Sequence, residues 1–197
     1  MSAFTVDPPP LWDYEWDDVV RMWEETDAPE GCKVEIIEGL ITVTPPPSNR
    51  HTFITDPVQR PLYAALPEYW GIYQRLGAAV PSRQSLYVPD IAVVPQSVVR
   101  SHKGYFVPAS AAELVVEITS QSTASNDRHK KYGGYAEAGV PFYLLIDCWA
   151  PGGPTVTLYG EPKGAVYRTL SAVKLGKTIH LPEPFGLDLD TASFVAA

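Results

Sequence analysis

The sequence predicts an α/β fold, a mixed β-sheet core flanked by helices with additional antiparallel hairpins, and three observations carry that expectation. An apolar, β-branched run at residues 113–119 is followed by a helical stretch and then by a fully apolar run at residues 142–147. That order is a βαβ crossover, which pairs its two strands in parallel. Residues 32–37 and 40–44 alternate as strands around Glu38-Gly39, a hairpin whose turn the glycine permits. Finally, 45% hydrophobic residues in a chain of 197 suffice for one substantial core.

The elements follow in order. Residues 1–10, with Pro8-Pro9-Pro10, read as an irregular arm, and residues 11–197 as a single domain. From Asp13, a candidate N-cap, Trp16, Val19, Val20 and Trp23 recur at i, i+3, i+4 and i+7, the stripe of a core-facing helix. Pro45 to Asn49 end the hairpin. Residues 51–66 have helical character, but Pro57 and Pro61 each cost ~3 kcal/mol in a helix interior, so a broken or kinked element is expected. Strands are expected at 70–76, 85–94 and 113–119, with a loop at 101–110. Ser125 or Asn126 can cap a helix running to about Ala138, which Gly139 closes and Pro141 prevents from continuing. Residues 155–159 and 165–170 read as an antiparallel hairpin, and the tail from Leu181 as a loop.

A formal net charge of −8 argues against coating nucleic acid by bulk electrostatics. It leaves room for a local basic groove, and Arg128, His129, Lys130 and Lys131 form the densest basic cluster; the same residues could be a solvated helix face. No run approaches the roughly 20 apolar residues of a membrane span, and the N-terminus lacks a basic, apolar leader, so no membrane partner and a cytoplasmic location are expected. Cys32 and Cys148 form no disulfide framework and, with four scattered histidines, no zinc spacing.

Chemistry is concentrated in two acidic residues set into apolar runs. Asp90 lies in Val88-Pro89-Asp90-Ile91-Ala92-Val93-Val94, and Glu117 in Leu114-Val115-Val116-Glu117-Ile118-Thr119-Ser120. Burying a lone charge costs several kcal/mol unless it is paired or metal-bound. Two carboxylates on neighbouring strands suit Mg2+ or Mn2+, which prefer oxygen ligands, and the backbone carbonyl of Ile118 could add a third. Such an ion activates water and neutralises charge on a phosphodiester. Asp127, Lys131 and Tyr135 fall at i, i+4 and i+8, on one helix face that can turn back to Glu117 and bring Lys131 there as electrostatic catalyst. Equally, Asp127 and Lys131 could be an ordinary helix ion pair worth ~0.3 kcal/mol.

Together, Val88-Pro89-Asp90, the run from Leu114 to Thr123, Asp127-Arg128 with Lys131, and Tyr135-Ala136-Glu137-Ala138-Gly139-Val140-Pro141-Phe142-Tyr143 closing on Ile146-Asp147 resemble the Uma2 family of endonucleases, of the PD-(D/E)XK superfamily. The resemblance implies a restriction-endonuclease-like fold and divalent-metal-dependent hydrolysis of nucleic acid, with DNA as the expected partner. It implies that Glu35, in Val34-Glu35-Ile36-Ile37-Glu38-Gly39, sits near the metal as a further ligand or water organiser. His51 matches a histidine after a proline-rich turn and, with Arg128 and Lys130, is a candidate substrate contact. Read without the resemblance, Glu35 could be the solvent-facing residue of an edge strand. The pattern of such nucleases has a lysine two residues after the glutamate, where this chain has Thr119. Cutting both strands of a duplex would need two sites, hence an expected homodimer. Two other readings are a catalytically silent module that keeps the fold to bind nucleic acid or a protein, and a paired-carboxylate glycosidase, which fits buried strands less well.

Overall fold

The computed structural model describes residues 14–196, so the arm and the Asp13 cap lie outside the described residues. Helix α1 (Trp16–Glu24) buries Val19 against Ile36, Leu86 and Val88, and Trp23 Nε1 donates to the Val34 carbonyl at 2.9 Å. Strands β1 (Lys33–Ile37) and β2 (Leu40–Thr44) form the expected hairpin, with Ile37 opposite Leu40. Its two turn residues, Glu38 and Gly39, both have positive φ, as a two-residue hairpin of this handedness requires.

Helix α2 (Asn49–Ala65) begins at Ser48, whose hydroxyl accepts from the His51 N–H at 3.3 Å. It runs unbroken through Pro57 and Pro61, contrary to the break the prolines predict. Ile54, Val58 and Leu62 are fully buried on one face. At about 1.5–3 kcal/mol per buried side chain, that packing offsets the local penalties.

Strand β3 (Trp70–Tyr73) is shorter than expected, and β4 (Gly77–Val80) follows it as a separate strand. The single strand expected at 85–94 is in fact β5 (Ser85–Tyr87) and β6 (Ile91–Pro95), which belong to different sheets. The chain crosses between them at Val88-Pro89-Asp90, where proline has no N–H to continue a ladder and the Asp90 N–H bonds the Val116 carbonyl at 3.1 Å. The expected loop at 101–110 contains the end of α3 (Gln96–Ser101) and β7 (Phe106–Pro108).

Next, β8 (Leu114–Ile118) leads into a helical segment capped by Ser120 rather than by Ser125 or Asn126. Ser120 Oγ accepts from the Thr123 N–H at 3.2 Å and Thr123 Oγ1 accepts from the Ser120 N–H at 3.1 Å. The segment widens to a π-helix over Asn126–Lys131, tightens to α4 (Tyr132–Glu137) and ends with Gly139 at φ 77°. Strand β9 (Phe142–Asp147) then pairs with β8 in parallel, completing the predicted crossover. The hairpin of β10 (Thr155–Lys163) and β11 (Val166–Lys174) is longer than expected. The tail from Leu181, expected as a loop, contains β13 (Leu187–Asp190), which pairs with β12 (Thr178–Leu181) in a second hairpin.

One sheet has the order β2-β1-β5-β4-β7, the other β11-β10-β9-β8-β6-β3. The central strands of the larger, β6, β8 and β9, are buried on both faces. Ile91, Val93, Leu114 and Val116 meet α2, while Ala92, Val94 and Val115 meet Tyr87 and Tyr135 on the opposite side. Glu117 shares the face of Val115, since side chains alternate along a strand. No described helix is long and apolar enough to cross a membrane.

Candidate active site

Four acidic side chains, two lysines and a histidine converge where the two sheets meet. Glu35, on β1, is 1% exposed: its Oε1 accepts from the Val88 N–H at 2.7 Å and lies 2.8 Å from Lys131 Nζ. Since β1 is flanked by β2 and β5, the edge-strand reading of Glu35 does not hold. Glu117 Oε1 accepts from Tyr135 Oη at 2.9 Å and from Lys131 Nζ at 3.1 Å. Asp127 Oδ1 is 3.3 Å from the same ammonium, without a hydrogen bond. The face of Asp127, Lys131 and Tyr135 therefore does turn onto Glu117. The π-helical widening brings both Asp127 and Lys131 inside; π-turns recur at functional sites.

Asp90 is not inside a strand but on the crossover between sheets, with its side chain 12% exposed. Its Oδ2 accepts from the Ile118 N–H at 2.7 Å and is 3.0 Å from His51 Nε2; Oδ1 is 3.9 Å from Lys33 Nζ. Lys33 also donates to the Val88 carbonyl at 3.2 Å and lies 3.6 Å from Glu35 Oε2. Sequence reasoning missed Lys33, although a residue two positions from Glu35 on a strand must share its face.

One ammonium cannot neutralise three carboxylates, and their acidities diverge accordingly. Burial pushes Glu35 up, but Lys131, Lys33 and the Val88 N–H together hold it below the usual carboxylate range. Glu117 is pushed up to about 8 by burial, with Lys131 opposing and the charges of Asp127 and Asp90 adding to the rise. Burial likewise raises Asp127. Burial alone would depress Lys131, yet Glu117, Glu35 and Asp127 keep it well above its ordinary value, as a charged ammonium. Asp90 is held low against burial by His51, Lys33 and the Ile118 amide.

A cavity of about 610 Å³ opens onto this cluster, lined by Asp90, Glu117, Ile118 and His51 among others. It sits at the C-terminal ends of β8 and β9, where parallel sheets bind ligands. Among the described residues, Asp90 Oδ1 and Glu117 Oε2 make no hydrogen bond, and the Ile118 carbonyl lies on the strand edge facing Asp90, since N–H and C=O of a strand residue point the same way. That donor set is all oxygen and fits Mg2+ or Mn2+ with water and phosphate as remaining ligands. No group of three or more His, Cys, Asp or Glu in a metal-holding arrangement occurs among the described residues, so a closed protein cage is absent there.

The other predicted contacts lie elsewhere. Arg128 Nε is 2.6 Å from Asp147 Oδ2, and its Nη2 donates to Asp147 Oδ1 and to the Trp149 carbonyl, so it braces the loop after β9. Lys130 Nζ pairs with Glu38 at 3.3 Å. Neither lines the cavity, and its cations are Lys33, Arg50 and Arg75 together with His51 when protonated. Thr119, where a lysine is expected, donates to Asp147 Oδ1 at 3.0 Å and accepts from the Cys148 N–H at 3.0 Å, tying β8 to β9.

No curated protein matches the chain. Among solved structures, the crystal structure of a "putative nuclease belonging to DUF820" from Anabaena variabilis ATCC 29413 is similar, with a TM-score of 0.67 and 19% identity over 93% of this chain and 98% of that one. At that identity the likeness establishes a shared nuclease-like fold. The Uma2 family, described as "Putative restriction endonuclease", matches residues 16–192, a span that contains both sheets and every member of the acidic cluster; the chain belongs to the Uma2 family.

Proposed function

We propose that this protein is a divalent-metal-dependent endonuclease that hydrolyses phosphodiester bonds of DNA. The observation that carries the reading is the pair Asp90 and Glu117 on one cavity, with Lys131 Nζ 3.1 Å from Glu117. Asp90, Glu117 and the Ile118 carbonyl would hold Mg2+ or Mn2+, and when bound the ion lowers the pKa of a water and offsets charge on the phosphodiester. Glu35 fixes Lys131, whose ammonium stands beside Glu117 as an electrostatic stabiliser of the charge that develops on phosphate oxygens. His51 and the Ile118 amide orient Asp90.

A silent nuclease-fold module is the second reading. It is favoured by Asp90 Oδ2 being already engaged by the Ile118 amide and His51. Calorimetric titration of Mn2+ into wild type and Asp90→Asn, followed by incubation of both with plasmid DNA, separates the two. Binding and cleavage by wild type, both lost in the variant, support the nuclease; absence of both in wild type supports the silent module.

A further inference from the structure

Building on the nuclease reading, we propose that the substrate segment at this site is unpaired: the protein cuts single-stranded DNA, or single-stranded loops, and the base beside the scissile bond stacks on Trp149. Three observations converge. The carboxylates lie at the floor of the cavity, with the Glu117 side chain 1% and that of Asp90 12% exposed. A volume of about 610 Å³ is in the range of pockets that take a small ligand, enough for a nucleotide and its phosphate. For a base beside the scissile bond to turn against the cavity wall, a paired nucleotide must leave the stack, which costs a few kcal/mol; an unpaired strand is spared that cost.

Second, the same cavity has the parts of a single-strand site, an aromatic platform beside cations. Trp149 lines it, is 50% exposed and pairs with no other aromatic ring among the described residues. Its backbone is fixed: the N–H donates to Asp147 Oδ1 at 3.0 Å and the carbonyl accepts from Arg128 at 2.6 Å. The loop is thus braced while the indole stands free. Arg50, exposed and without an ion pair among the described residues, lines the same cavity, as does Arg75, which is held by the Gly31 and Cys32 carbonyls at 3.2 and 2.9 Å.

Third, the charge of −8 disfavours binding any nucleic acid through a long-range field, so affinity must rest on local contacts, and stacking on an aromatic ring is one that only an unpaired base can make. A localised pocket of stacking and a few cations needs no such field. One site also suffices for one strand, so this substrate requires no second subunit.

The test uses the full chain with Mn2+ and three end-labelled DNAs of one sequence: a single strand, its blunt duplex, and a hairpin with a long loop. The expected result is cleavage of the single strand and of the hairpin loop at least tenfold faster than of the duplex. Trp149→Ala should raise KM about tenfold with kcat little changed, as loss of one stacked base implies, and Trp149→Phe should restore most of it. Equal cleavage of duplex and single strand, or an unaltered KM in Trp149→Ala, overturns this proposal and leaves the nuclease reading intact. If no DNA is cut, fluorescence anisotropy of the same oligonucleotides decides: selective binding of the single strand through Trp149 supports the site while the catalytic reading fails, and no binding overturns both.

Discussion

Lys131 Nζ and Glu117 Oε1 lie 3.1 Å apart with both side chains 1% exposed, although one comes from a helix and the other from the strand it leaves. Lys131 also touches Glu35 and Asp127, so its charge is shared among three carboxylates.

Removing that charge should cost the fold as well as the chemistry. Lys131→Met leaves Glu117 and Asp127 without their cation and Glu35 with Lys33 alone, and breaking a buried pair in this way typically costs about 3–5 kcal/mol. Urea denaturation should show the loss. Adding Glu35→Gln, which removes the carboxylate held ionised beside Lys131, should recover part of it, and a double variant no more stable than Lys131→Met would contradict the shared-charge account.

Metal binding should release a proton. With a folded value of about 8 against an ordinary 4.5, Glu117 is protonated at pH 7 in the free protein and must be ionised to hold a cation. Mn2+ titrated at pH 7 in buffers of different ionisation enthalpy should report close to one proton released per ion, with affinity rising up to about pH 8. The accompanying stability term has the matching sign: present in full below the ordinary carboxylate value, it is lost as pH rises through about 8. Heat independent of buffer would count against it.

The Asp147 to Arg128 pair gives the opposite pH dependence. Burial raises Asp147, but the Arg128 bonds, the Trp149 N–H and Thr119 outweigh it and hold the carboxylate below its usual range. Its stabilisation is present above the ordinary value and is lost as pH falls through the lower, folded one. Asp147→Asn should destabilise by about 2 kcal/mol at pH 7, as loss of charge-assisted bonds implies. Thermal melts from pH 7 down to pH 2 should show that deficit shrinking.

Two adjacent glycines should respond differently. A Cβ on Gly134 would lie 2.3 Å from Tyr87 Oη and 2.6 Å from its ring, so Gly134→Ala should destabilise by about 1–3 kcal/mol. On Gly133 it would meet the end of the flexible Arg83 side chain at 3.3 Å, and Gly133→Ala should be neutral or stabilise by up to about 1 kcal/mol. Equal midpoints for the two variants would refute the packing argument.

Local pattern was enough to find the β1–β2 hairpin, β8, β9 and their parallel crossover, because each is written in nearest-neighbour periodicity and turn chemistry. It failed at residues 85–94, where an uninterrupted apolar run conceals a change of sheet at Pro89 that only long-range pairing reveals. It failed at α2, where tertiary packing of Ile54, Val58 and Leu62 overrides two prolines. In the site, the helix face of Asp127, Lys131 and Tyr135 was legible from spacing. The bracing role of Arg128 was not, because its partner Asp147 lies 19 residues away beyond a whole strand. Trp149 carried no signal beyond following a buried strand.

Glu35 belongs to one sheet and Glu117 to the other, and Lys131 joins them. Neither half of the molecule can assemble the cluster by itself, and the lysine is synthesised after both acids. A nascent chain still emerging from the ribosome, or one whose sheets have separated under stress, therefore lacks the assembled centre. Assembly of the cluster depends on docking of the two sheets, and loss of that docking should take the cluster apart before the secondary structure of either sheet is lost.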